Sequence, residues 1–99
     1  MQVLHIDPNG EVNDPLVEMN FGGLLQLNDW LKTLTEVSQC VIVEEPSRNC
    51  ALELWYCDPV RGNYKIKQFI GTSIEKLTFI DRVQAEAAFI ARIQTHIID

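Results

Sequence analysis

"ALELWYCDPVRGNYKIKQFIG", Ala51 to Gly71, is the stretch that decides how this chain folds. Side chains alternate across a strand, so Leu52, Leu54 and Tyr56 share one face. Tyr64, Ile66, Gln68 and Ile70 share another. Bringing the two sets together as an antiparallel hairpin pairs Tyr56 with Tyr64 and Leu54 with Ile66. A one-residue slip would set Leu54 against Lys67, so the hydrophobic pattern selects the register. Asp58 to Gly62, "DPVRG", is left as the connecting loop, with Pro59 and Gly62 where a turn and a bulge use them.

The same register fixes the opposite face. It sets Trp55 against Lys65, Glu53 against Lys67 and Ala51 against Phe69. Opposite charges across a strand pair contribute roughly 0.2–1 kcal/mol, and an ammonium on an exposed indole about 0.5–1 kcal/mol. Those pairs account for Glu53, Lys65, Lys67 and part of Trp55. They leave Phe69 unexplained, together with Ile42 if the neighbouring strand presents it on that side. Aromatics ringed by charge have the composition of a protein interface. The competing account folds a helix or the N-terminal hairpin over this face and makes Trp55 ordinary core.

Outward from the hairpin, Cys40–Glu45, "CVIVEE", is a compact β-branched run and reads as a strand closed by the loop "EPSRN". Before it, Leu24–Gln39 carries Leu24, Leu27, Leu31 and Leu34 at three- and four-residue steps, with Trp30 and Val37 widening the stripe. That predicts one amphipathic helix. Gln2–Ile6 predicts a strand closed by the turn "DPNG". Glu11–Pro15 reads as loop, and Leu16–Met19 as a possible return strand before the Gly22-Gly23 break.

After the hairpin, Thr72 and Glu75 would suit a capping box opening one long helix. Wrapped at the helical step, however, Val83, Ala87, Ile90, Ile93 and Ile97 cluster on one side while Ile74 and Leu77 fall off it. A break fits better, with a strand over Lys76–Ile80 and Asp81 as N-cap of a terminal helix, Gln84 returning the cap. Glu86 falls inside the apolar arc near Phe89, where a carboxylate sits at the edge of the contact or is neutralised by Arg82 four residues earlier, with a catalytic role a distant second.

The expected architecture is a single α+β domain over residues 1–99. It has an antiparallel sheet of four to five strands with two amphipathic helices on one face, in the order β(β)αββββα.

Ninety-nine residues with a formal charge of −6 fit a small globular protein. Met1–Glu45 holds eight acids against Lys32 alone, whereas Pro46–Asp99 holds six acids against seven bases. The first half lacks the clustered Lys and Arg that phosphates require, which speaks against nucleic acid. No apolar run approaches the roughly 20 residues that cross a bilayer, and "MQVLHIDPNG" is no signal peptide, so a cytoplasmic location is expected. Cys40, Cys50 and Cys57 are odd in number, form no C-x-x-C pair and read as reduced thiols.

Chemical motifs are missing. No P-loop or dinucleotide fingerprint occurs, His5 and His96 lack partners at metal-ligand spacing, and no cofactor, metal or catalytic residue is expected. Three readings follow. The first is a non-enzymatic interaction domain of inhibitor, immunity or adaptor type, binding a protein partner or a second copy through Trp55, Phe69, Glu53, Lys65 and Lys67. The second is a small-molecule or enzymatic domain with a pocket between helices and sheet, using Tyr56, Tyr64, Gln68 and Glu86. The third is a nucleic-acid contact through Arg61, Lys65 and Lys67.

Overall fold

The computed structural model describes residues 2–13, 23–34, 39–58 and 60–98. The expected strand Leu16–Met19, the break at Gly22 and the turn residue Pro59 lie outside them. Six strands form one antiparallel sheet in the order β2-β1-β3-β4-β5-β6. They are β1 (Gln2–Ile6), β2 (Val12–Asn13), β3 (Gln39–Glu45), β4 (Cys50–Asp58), β5 (Asn63–Ile70) and β6 (Ser73–Phe79). Two helices, α1 (Leu24–Leu31) and α2 (Arg82–Ile93), complete the α+β fold, and α2 runs on into a π-helical turn at Gln94–Ile98.

The central hairpin takes the register its hydrophobic pattern selects. Leu54 pairs with Ile66, Tyr56 with Tyr64, Trp55 with Lys65, Glu53 with Lys67 and Ala51 with Phe69. A bulge follows Tyr56, and the loop is tied by Arg61 N donating to Asp58 Oδ1 at 3.2 Å.

Gly62 has φ of +72°, and a Cβ there would lie 2.5 Å from the backbone oxygen of Ile80. The loop thus packs against the chain just beyond β6. Gly71 opens the two-residue turn between β5 and β6 at φ +59° with open space around it. Positive φ at the first central position is what the twist of a tight hairpin favours. Both glycines relieve left-handed strain, but only Gly62 also avoids a backbone collision. Gly71→Ala should therefore cost about 1–2 kcal/mol, and Gly62→Ala about 1–3 kcal/mol more, in urea unfolding. Equal losses would remove the proposed close approach.

Sheet edges depart from the sequence reading. β6 begins at Ser73, three residues earlier than expected, because β5 offers a matching partner along its length from Tyr64–Phe79 to Ile70–Ser73. Val12–Asn13, read as loop, pairs with β1. The Asp7 carboxylate accepts from the backbone N–H of Asn9 and Glu11, each at 2.9 Å, and this closes the turn that brings Val12 opposite Ile6. The sheet accordingly has six strands rather than four or five. α1 is shorter than expected, ending at Leu31; Lys32 and Thr33 form a turn, residues 35–38 lie outside those described, and Gln39 already belongs to β3.

Both helices pack on one side, as expected. Leu27, Trp30 and Leu31 of α1, with Ala85, Phe89 and Ile93 of α2, join one cluster with Val3, Val41, Val43, Leu52, Leu54, Tyr56, Tyr64 and Ile66. Asp81 caps α2, its carboxylate accepting from Val83 N at 2.8 Å. The buried arc of α2 is rotated from the expected one. Ala85, Glu86, Phe89 and Ile93 are buried, while Val83 is 66% exposed and Ala87 is also exposed. Glu86 lies inside, as its place in the expected arc implied, whereas counting aliphatics alone put Val83 and Ala87 on the buried side.

Candidate protein interface

With the helices on one side, strand alternation assigns the other side without ambiguity. Antiparallel pairing lines up Ile6, Cys40, Trp55, Lys65 and Thr78 in one row. Leu4, Ile42, Glu53, Lys67 and Lys76 form the next, and Gln2, Glu44, Ala51, Phe69 and Ile74 the third. Leu4, Ile6, Ile42, Ala51, Trp55 and Phe69 are all half-buried, Ile74 is 63% exposed, and no described element packs across them. Cys40 in the first row is buried, and that burial pushes its thiol up to about 12. It stays protonated near neutrality.

Trp55 is held in place on this face. Its Nε1 donates to Glu53 Oε1 at 2.9 Å, and Lys67 Nζ lies 4.9 Å from the indole ring centre. The cation over the indole is thus Lys67, diagonal to it, and not Lys65, which stands directly opposite. Long side chains reach diagonal neighbours on a twisted sheet. Glu53 likewise spends its carboxylate on the indole N–H. Lys65 is exposed at the rim. Beside Phe69, a cleft of about 210 Å³ opens between Glu44, Pro46, Asn49, Ala51 and Gly71.

The four residues of the second reading lie on the inner side, where Tyr56 meets both Glu86 and Tyr64 while Gln68 is bonded to Arg92 instead. Tyr56 Oη donates to Glu86 Oε2 at 2.5 Å. Lys32 Nζ donates to Glu86 Oε1 at 2.7 Å and Arg82 Nε to Oε2 at 3.0 Å. Arg82 also donates to the Leu31 carbonyl at 2.7 Å and stacks over the Tyr56 ring at 5.2 Å. Burial and the hydrogen bond to Glu86 raise the Tyr56 hydroxyl far above its ordinary range, so it remains a donor. Tyr64 meets Tyr56 edge-on at 6.0 Å, and Gln68 accepts from Arg92 at 2.6 Å. Two surface clefts, of about 210 and 520 Å³, are lined by none of these four. The Glu86 cluster fastens α1 to α2 and both to β4. His5 also serves the inner side, bonded to Gln39 at 2.8 Å and edge-on to Trp30 at 5.3 Å.

For the third reading, Arg61 lies in the β4–β5 loop, 3.7 Å from Asp58, apart from the sheet-face lysines. Among the described residues no three His, Cys, Asp or Glu side chains come together to hold a metal ion. No described helix is long and apolar enough to cross a membrane. No family model, curated protein or solved structure matches this chain.

The sequence reading named Trp55, Phe69, Glu53, Lys65 and Lys67, and all five stand on the outer face. It did not include Leu4, Ile6, Ile74 or Lys76. Alternation in "SIEKLTF" places Ile74 and Lys76 once β6 is started at Ser73. Leu4 and Ile6 join only because β1 lies beside β3, which no local pattern records.

Proposed function

We propose that this chain is a non-enzymatic protein-interaction domain that associates with a second copy of itself through the outer face of its sheet. The observation that carries the reading is the set of half-buried apolar side chains Leu4, Ile6, Ile42, Trp55 and Phe69, on the side away from both helices. Surfaces of this kind mark association sites when contiguous and rimmed by polar groups. Trp55 is fixed by Glu53 and Lys67 before any partner arrives, which lowers the entropy lost on docking.

Charge supports a second copy as the occupant. The face holds Lys65, Lys67 and Lys76 against Glu44 and Glu53, so it is mildly basic in a chain of net charge −6. Stacking two copies there keeps the acidic surfaces apart, and both signs are present for cross-pairing. An inhibitor, immunity or adaptor role in the cytoplasm fits such a domain.

Solution mass tests the reading. The wild type should form a dimer that Trp55→Ala and Phe69→Ser each convert to monomer while helical content is retained. In a Trp30→Phe background, Trp55 emission should shift to the red on dilution. A wild type that stays monomeric up to about 1 mM, where association is worth only about 4 kcal/mol, overturns self-association.

A further inference from the structure

β6 forms one edge of the sheet. Its only described strand neighbour is β5, so the outer backbone groups of Ser73–Phe79 face no partner among the described residues. The opposite edge, β2, is two residues long. A seven-residue open edge is a template for strand addition, in which main-chain bonds supply affinity and alternate side chains supply selectivity.

The side chains along this edge specify what can be added. Lys76 stands directly opposite Lys67, a like-charge pair that destabilises a sheet unless an anion lies nearby. Glu53, the acid of that row, keeps its charge while bonded to the Trp55 indole but stands opposite Lys67, one strand further in, and Lys76 has no ion-pair partner among the described residues. Two residues away on the same face, Ile74 is 63% exposed. On the inner face Glu75 is paired with Arg92 at 3.6 Å, and Leu77 and Phe79 are half-buried. An added strand therefore meets an ammonium in no ion pair among the described residues, flanked by an exposed aliphatic.

We infer that β6 accepts an extended acidic segment of another protein, which adds as a seventh strand with a carboxylate opposite Lys76 and an aliphatic side chain opposite Ile74. A second copy does not meet this demand. Antiparallel pairing of two β6 strands with sheet faces matched sets Lys76 against Thr72, Ile74, Lys76, Thr78 or Ile80 of the copy, none of them acidic. The edge thus selects against itself while remaining open to a strand of the right charge. The site shares Lys76 and Ile74 with the face that carries Trp55, but it is built on the open backbone edge of β6 rather than on that face.

The test uses the full chain, the capped heptapeptide Val-Thr-Val-Glu-Thr-Val-Thr and its Lys-for-Glu counterpart, with amide shifts and hydrogen exchange as readout. The Glu peptide should slow exchange of the residue 73–79 amides and bind about ten-fold more tightly than the Lys peptide, since attraction is exchanged for repulsion. Lys76→Glu, an exposed substitution, should reverse that order, and Trp55→Ala should leave it unchanged. Equal binding of both peptides, no effect of Lys76→Glu, or protection confined to residues outside β6 overturns the inference. So does tighter binding of a thymidine decamer at the same amides.

Discussion

Glu86→Ala should lower the unfolding free energy by about 3 kcal/mol, a large share of the roughly 5–15 kcal/mol a small domain possesses. Glu86 is 1% exposed and accepts from Tyr56, Lys32 and Arg82. Deleting it leaves the buried Tyr56 hydroxyl without its acceptor, which alone costs about 1–3 kcal/mol. Arg82, 30% exposed, loses its carboxylate while still held at the Leu31 carbonyl. Lys32 is 47% exposed and can rehydrate, so Lys32→Ala should cost under about 1 kcal/mol.

A burial account and a hydrogen-bond account separate in a double-mutant cycle. Glu86→Met should be costly alone and much less so combined with Tyr56→Phe, because removing both polar partners leaves no orphan. Guanidinium unfolding gives the free energies. Hydrogen exchange of the α1 amides should quicken in Glu86→Ala, since Lys32 and Leu31 are α1's tethers to this cluster. A loss below about 1 kcal/mol with α1 exchange unchanged would mean that the cluster does not dock the helix.

Phe89→Ala should cost about 3–5 kcal/mol. The ring is fully buried and lies in the cluster that joins α2 to the sheet, so truncation leaves a cavity that its neighbours fill only in part. Val83→Ala, one turn and a half earlier on the same helix, should fall within about 0.5 kcal/mol, because Val83 is 66% exposed. The contrast reads out the rotational phase of α2. Comparable losses at the two positions, or the larger loss at Val83, would restore the aliphatic stripe as the buried face and displace Glu86 from the interior.

That contrast also marks what was legible. A strand's two faces are set by alternation between adjacent residues, a purely local property. "ALELWYCDPVRGNYKIKQFIG" therefore carried its own register, and with it the placing of Trp55 and Phe69 on one side and Leu54 and Ile66 on the other. Asp81 as a helix cap and the strands Gln2–Ile6 and Cys40–Glu45 were local in the same sense, the latter short by one residue.

The phase of α2 was not local. The sequence placed Glu86 within the arc with Arg82 beside it, but the partners that complete its burial, Lys32, 54 residues away, and Tyr56, 30 residues away, are not local. The length of α1 and the pairing of Val12–Asn13 likewise depend on what each segment meets in space. The alternating sequence thus determined which side chains would share the Trp55 face. Tertiary structure alone decided that Leu4 and Ile6 would extend the face and that β6 would be left at an edge. These depend on strand order, whose energies come from contacts between residues distant in the chain and leave no periodic trace within either segment.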